Sequence, residues 1–239
     1  MAQHITRKEL KKDEVRETLA HGADAILEHQ TATIYILIVA IVAAVAVFGW
    51  KTYTERQTVK ASAAFDEAMK TFQSPLLSAG QPPIPGEVAY ADEKMKYTDA
   101  QQKFAVVASK YPHTHPGHLA NYYAALSLEK LGKNNEAKAR LESLAGGSDD
   151  FAAMARFELA QLSDRMGQGD EAVKLYQQLI DKPSALTPKA VVMLALAQHY
   201  QQKEPAKAAQ LYSQIKTDYP DTPAADRADQ QLALLPGKS

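Results

Sequence analysis

Two ten-residue stretches, Tyr111–Ala120 (YPHTHPGHLA) and Tyr219–Ala228 (YPDTPAADRA), share the frame Tyr-Pro-x-Thr-x-x-small-x-x-Ala and lie 108 residues apart, three times 36. A self-match at that spacing is the mark of a helical-repeat array. Between and around them four segments carry alanine, an apolar or aromatic residue four later and another apolar residue three after that: Ala100/Phe104/Val107, Ala137/Leu141/Leu144, Ala172/Tyr176/Leu179 and Ala208/Tyr212/Ile215. Successive alanines stand 37, 35 and 36 residues apart. The i, i+4, i+7 spacing puts each triplet on one stripe of a helix, and the small alanine lets a neighbouring helix approach closely.

Each stripe follows another helical stretch: YYAALSLEKLG before Ala137, ARFELAQLSDRMG before Ala172 and VVMLALAQHYQQK before Ala208. Gly132 and Gly167 each stand five residues before their alanine, where a glycine closing a helix takes the left-handed C-cap conformation. The third hairpin lacks that glycine and is one residue shorter, so a different turn is expected. Thr187-Pro188 and Thr222-Pro223 are expected helix starts, with threonine at the N-cap and proline at the first helical position. The expected fold is all-α.

Two regions depart from the array. Ala61–Phe72 has the form of a first helix, with Ala61, Ala64, Phe65, Ala68 and Phe72 on one side. Its partner near Ala100 is separated from it by SPLLSAGQPPIPGEVAY, whose four prolines and two glycines break any helix; residues 74–90 are therefore a proline-rich loop inserted within the first hairpin. At the other end, residues 222–235 form a last helix without a partner, as a stack of hairpins needs for a cap.

Ahead of the repeats, Thr31–Trp50 (TATIYILIVAIVAAVAVFGW) is a run of 20 uncharged residues bracketed by Glu28 and Lys51. At about 1.5 Å per residue it covers the ~30 Å hydrocarbon core of a bilayer. Tyr35, Trp50 and Tyr53 fall near its ends, where aromatic rings favour the headgroup layer. Ala44-Val45-Ala46 resembles a signal-peptide cleavage triplet, but it lies inside a run that is too long for a signal core, so a retained single-pass anchor is expected. Residues 1–30 are then a short cytoplasmic tail carrying Arg7, Lys8, Lys11, Lys12 and Arg16, with a capping box at Thr6 and Glu9 that suggests a short helix. Against Lys51, Arg56, Lys60 and Lys70 beyond the span this charge count is nearly even, and the tail is placed inside because long domains translocate with little regard to charge. Residues 51–239 make up the repeat domain.

Chemistry-bearing patterns are sparse. The chain has no cysteine, which excludes disulfides, thiolate metal sites and cysteine nucleophiles. With 27 Lys plus Arg against 28 Asp plus Glu, nothing points to nucleic acid. His113, His115 and His118 crowd into six residues, yet they occupy variable positions of the repeated frame, where the second copy has Asp221, Pro223 and Asp226. Their i, i+2, i+5 spacing is not the i, i+4 pair that sets two metal ligands on one helical face, so a solvated loop is expected rather than a metal site. Gly167-Gln-Gly169-Asp170 has neither the preceding strand nor the third glycine of a phosphate loop, and Gly146–Asp150 is a loop ending in a helix cap. No Gly-x-Ser-x-Gly, His-Glu-x-x-His, Walker or calcium-loop pattern occurs, so no catalytic residue, cofactor, metal or small-molecule substrate is expected.

The paired small residue and glycine of the first helix, the Ala-x-x-x-aromatic of the second and the closing proline, where they occur, resemble the tetratricopeptide repeat, a helix–turn–helix unit of about 34 residues, over residues 92–235. The units here run slightly long and lack the tryptophan of the first helix. The resemblance implies that first helices line a surface able to hold a peptide or partner helix. Transferred to this chain it marks Tyr122, Leu126, Glu129 and Lys130, then Phe157, Gln161, Asp164 and Arg165, then Gln198, Gln201 and Gln202, the aromatics being equally readable as core.

The order of parts adds a second likeness. A short tail, one span ending in Gly49-Trp50, then Lys51-x-Tyr53 and repeats, resembles the YfgM-type ancillary subunits of the bacterial Sec translocon. That resemblance implies an inner-membrane protein with a periplasmic repeat domain. It also implies association with the translocon and a membrane-anchored prolyl isomerase, and help in passing emerging proteins to chaperones. The proline-rich insertion departs from that pattern. The alternative expectation is a structural or assembly subunit of another membrane complex.

Overall fold

The structure, a computed structural model, describes residues 30–77 and 89–235. The expected tail helix around Thr6 and Glu9 lies outside the described residues, as do residues 78–88 of the insertion. The described residues form nine α-helices, and their one β-type pairing is an isolated bridge between Leu76 and Tyr90. The chain falls into two compact units, residues 1–56 and 57–239.

In the first unit, helix α1 (Gln30–Gln73) begins; it continues into the second. Its large apolar side chains from Ile34 to Trp50 are exposed, between 50% at Ile38 and 73% at Phe48. The helix is long and apolar enough to cross a membrane.

The second unit holds the end of α1 and then α2 (Glu93–Lys110), α3 (His115–Lys130), α4 (Asn134–Ala145), α5 (Asp150–Arg165), α6 (Gly169–Asp181), α7 (Lys189–Lys203), α8 (Pro205–Asp218) and α9 (Pro223–Leu234). Local chemistry sets most of their ends. Asp92, Thr114, Asp149 and Thr222 cap α2, α3, α5 and α9, each side chain accepting an N–H of the first turn. Gly132 and Gly167 have φ of 72° and 78°. In both places the glycine N–H and the next N–H fold back on carbonyls of the last turn: Gly132 to Glu129 and Lys133 to Leu128, Gly167 to Asp164 and Gln168 to Ser163. The glycine-free third turn is built otherwise: Glu204, with φ of −138° and ψ of 64°, ends α7 and begins α8, and Pro205 follows it.

Thr187 does not cap α7. The helix starts at Lys189 with Pro188 as its N-cap and no side-chain cap bond. Ser184 Oγ accepts the Thr187 N–H at 3.2 Å and lies 3.0 Å from the Thr187 hydroxyl, which holds that side chain back in the loop.

Packing follows a three-helix cell. Both helices of a hairpin and the first helix of the next enclose one apolar cluster, and this arrangement occurs four times along the described residues. The repeat stripes form the centre of each cell: Ala100, Phe104, Ala137, Leu141, Ala172, Tyr176, Ala208, Tyr212 and Ile215 are at most 2% exposed, while Leu144 is only half-buried at an edge. Ala61 and Ala68 of α1 meet Phe104 and Val107 of α2 and Ala120 and Ala124 of α3 in the first cell. Helix α5 serves two cells, giving Ala155, Leu159 and Leu162 to one and Ala153 and Ala160 to the next. In the last cell α9 supplies Ala224, Ala228 and Leu232 against α7 and α8, which is the work of a capping helix.

Candidate protein-interaction surface

The first helices α3, α5 and α7 touch one another in sequence along the array. Side chains one repeat apart therefore meet. Tyr122 OH on α3 donates to Glu158 Oε2 on α5 at 3.3 Å, and Glu129 Oε2 accepts from Arg165 Nη2; each pair spans 36 positions. The same Arg165 nitrogen reaches Glu158 Oε1 at 3.1 Å. Asp164 Oδ1 lies 2.7 Å from His199 Nδ1 on α7, a separation of 35 positions.

This polar ladder is partly withdrawn from solvent. The Glu129 and Glu158 side chains are 12% and 15% exposed against 50% for Arg165, and Glu129 Oε1 is enclosed without a hydrogen-bond partner among the described residues. Burial, then the charge of Glu158, pushes the Glu129 carboxyl up to about 7 against the pull of Arg165. Burial opposes the charge of Arg165, but its bonds to Glu158 and Glu129 outweigh that and hold the guanidinium above its ordinary value. Burial, followed by the nearby Glu158 charge, raises the Tyr122 hydroxyl well above the usual phenol range.

The eleven residues marked by the repeat pattern fare differently. Tyr122, Glu129 and Arg165 come together around Glu158, and Asp164 pairs with His199. Phe157 sets its ring against Tyr176, centroids 6.1 Å apart, inside a core cell. Gln201 accepts from Tyr212 OH at 3.2 Å and donates to Gln231 of α9 at 3.2 Å. Leu126 and Gln161 are half-buried, whereas Lys130, Gln198 and Gln202 are exposed. Glu158 and His199 carry as much of the ladder as any marked residue, yet the repeat pattern does not mark them. The signal that finds them is the repeat period itself, applied from first helix to first helix.

The three histidines divide between the turn and α3: His113 is exposed in the turn, whereas His115, also exposed, and half-buried His118 open α3 with their rings against Phe151 at the start of α5, centroids 4.6 and 5.6 Å away. Among the described residues no three His, Asp or Glu side chains gather as metal ligands would. At the base of the insertion, Leu77 N–H donates to the Tyr90 carbonyl at 2.9 Å and Tyr90 N–H to the Pro75 carbonyl at 3.2 Å; Tyr90 OH bonds Asp99 and Lys96 Nζ reaches Ser74 O at 3.2 Å. Burial and then the bond to Asp99 raise the Tyr90 hydroxyl. Two open grooves of about 400 and 330 Å³ run along α2 beside this stem, sharing Asp99 and Gln102 and bordered by exposed Met95 and Val106.

A family model described as a tetratricopeptide repeat-like domain matches residues 27–189, taking in the apolar run as well as the first hairpins, and a tetratricopeptide repeat model matches residues 157–223. No curated protein sequence matches the chain. Among solved structures, a Podosopora anserina protein described as a putative kinesin light chain with nearly identical TPR-like repeats gives a TM-score of 0.54 at 16% identity, covering 73% of this chain and 84% of that one. A point-substituted form of the same protein gives 0.54 at 15% identity, covering 73% of this chain and 84% of that one. At these identities the likeness is one of fold.

Proposed function

The chain belongs to the tetratricopeptide repeat-like family, and from that premise we propose that it is a non-enzymatic, membrane-anchored adaptor that binds other proteins through its helical repeats. The observation that carries the reading is the joining, in one chain, of an exposed apolar helix to a hairpin array whose first helices present polar side chains in register. Apolar surface on this scale, exposed along α1 from Ile34 to Trp50, calls for a bilayer to cover it. Arrays of this kind act by extended surface rather than by a reactive group. Residues 1–30 stay in the cytoplasm of a bacterial cell, Thr31–Trp50 spans the inner membrane once, and the repeat domain stands in the periplasm. The partners are proteins of the Sec translocon or of a periplasmic chaperone network; nucleic acid, cofactors and small-molecule substrates have no part.

Photo-crosslinking in cells tests this. A crosslinker at Lys130, Gln198 or Gln202, all exposed on first helices, is expected to capture translocon or chaperone proteins. One at Gln210, exposed on a second helix, is expected to capture fewer. Equal capture from both faces, or stoichiometric capture of one unrelated membrane complex, overturns the adaptor reading. The chain has no cysteine, so a single cysteine introduced at an exposed position such as Lys110 reports the side of the membrane by its labelling with an impermeant reagent.

A further inference from the structure

The ladder between α3 and α5 contains two carboxyls for one guanidinium. We propose that this junction between the second and third hairpins is proton-gated: Glu129 of α3 and Glu158 of α5 converge on a single nitrogen, Arg165 Nη2, and the pair takes up one proton as the helices close on each other. This reading is independent of what the array binds.

The geometry carries it. With both carboxyls ionised the cluster is one charge out of balance, and the excess falls on two side chains only 12% and 15% exposed, while Arg165 is half-exposed. Arg165 Nη2 bonds one oxygen of each carboxyl, and Tyr122 OH takes the second oxygen of Glu158. The second oxygen of Glu129 is enclosed and has no donor among the described residues. An ionised carboxylate in that position keeps an unsatisfied charge-bearing oxygen, which costs far more than a neutral carboxyl does. The missing compensation is one proton, and Glu129 is where it binds.

Among the described residues the surroundings supply one further cation, whose charge pulls on Glu129 less than Arg165 does. On its own helix Glu129 has Lys130, which is exposed. From α5 it faces Glu158 and Arg165, with Asp164 beside them; Tyr176 of α6 feels the charges of Asp164, Glu158 and Arg165. Helix α2 meets α3 through Phe104 and Val107, and α4 meets it through Ala137 and Leu141, the Arg140 guanidinium being bonded to Asn121 at 2.7 Å. Burial and the Glu158 charge set the operating point at about pH 7 against an ordinary value of 4.5. A carboxyl whose folded value is raised binds its proton more tightly in the folded chain. Its contribution to stability is then full below pH 4.5 and lost as pH rises through 7. Because array stability is a sum of hairpin and interface contributions, the change is confined to the α3–α5 junction.

The test uses the full-length chain in detergent micelles, carrying 13C-carboxyl glutamate. One glutamate resonance is expected to titrate with a midpoint of about 7 and to be missing in Glu129→Gln. If every glutamate titrates in the ordinary carboxylate range, the proposal is overturned, whatever the variant does. In parallel, the unfolding equilibrium constant of the wild type, taken relative to Glu129→Gln, is expected to rise on the order of 50-fold from pH 5 to pH 8. Parallel pH profiles for the two chains contradict proton gating.

Discussion

The Thr114 hydroxyl accepts the backbone N–H of Gly117 at 3.1 Å and donates to the Tyr111 carbonyl at 2.9 Å, so one side chain both ends a turn and starts α3. The same pair of bonds recurs at Thr222, to Ala225 N–H at 3.2 Å and Tyr219 O at 2.7 Å. Removing an N-cap of this type costs about 1 kcal/mol. Thr114→Ala and Thr222→Ala are each expected to lower the unfolding free energy by that amount, with Thr→Ser restoring most of it, as measured by denaturant titration of the purified chain.

Gly117 itself is a place where the usual helix rule inverts. Glycine to alanine inside a helix gains up to about 1 kcal/mol. A Cβ at Gly117, however, would stand 1.8 Å from the Tyr111 carbonyl oxygen, and that oxygen is backbone. Gly117→Ala is expected to destabilise by about 2 kcal/mol, the scale of forced backbone shifts in packed structure. Ala225, at the matching position of the second copy, already carries a methyl; Ala225→Gly is expected to lose only about 0.5–1 kcal/mol. Denaturant titration of the two variants checks this, and a gain at Gly117→Ala mirroring the loss at Ala225→Gly would show that the turns are not shaped differently.

What the sequence discloses here is what its period repeats. The stripes Ala100/Phe104/Val107 and Ala208/Tyr212/Ile215 are visible because helical spacing and repeat spacing coincide there, and both are buried to within 3%. Gly132 and Gly167 are visible because only a left-handed residue closes that turn cheaply. Thr187-Pro188 misleads because the competing partner, Ser184, sits in the loop behind it, where no capping rule looks. Glu158 and His199 are hidden for another reason. Each is an ordinary helical polar residue until the neighbouring first helix, 35 or 36 positions away, places a tyrosine or aspartate beside it. The histidine turn shows the reverse case, a conspicuous cluster of residues whose rings at His115 and His118 pack on Phe151.

At Gly132 and Gly167 nothing lies within 4 Å of where a Cβ would be, so any cost of substitution is conformational alone. An L-residue held at φ of 72° or 78° loses about 1–2 kcal/mol. Gly132→Ala and Gly167→Ala are each expected to destabilise by that amount and Gly→Asn by less, since asparagine tolerates the left-handed region. Thermal unfolding of the three forms at each site is expected to order them Gly, Asn, Ala; an alanine as stable as glycine would mean that the turn relaxes to another conformation.

Ser127 and Ser163 are both fully buried, but only one hydroxyl has a partner: Ser127 Oγ donates to Tyr123 O at 2.8 Å, and Ser163 Oγ has none among the described residues. An unmet buried hydroxyl costs about 1–3 kcal/mol, and alanine is the better helix former. Ser163→Ala is therefore expected to raise the melting temperature by about 2–4 °C, corresponding to about 1 kcal/mol in a chain of this size. Ser127→Ala, which gives up a bond along with its hydroxyl, is expected to leave the melting temperature nearly unchanged. A drop at Ser163 comparable to that of a cavity would place an unseen partner on its hydroxyl.

The proposed anchor can be tested by the arithmetic of insertion. Between Thr31 and Trp50 stand ten Leu, Ile, Val and Phe residues, each favouring the bilayer by about 0.3–0.6 kcal/mol, a sum of about 3–6 kcal/mol. One arginine at the centre of a span costs about 2.5–3.5 kcal/mol. Val42, near the middle of the run, gives Val42→Arg a balance close to zero, so a divided population is expected, part retained and part extracted by alkaline carbonate. Ile38→Arg with Val42→Arg adds a second charge that the remaining apolar residues do not offset, and the chain is expected in the soluble fraction. Val42→Leu is expected to stay entirely with the membrane. The graded series distinguishes a span from a helix that merely rests against another protein. In the second case a single exposed charge would release the chain or have no effect, and the midpoint at one arginine would be absent.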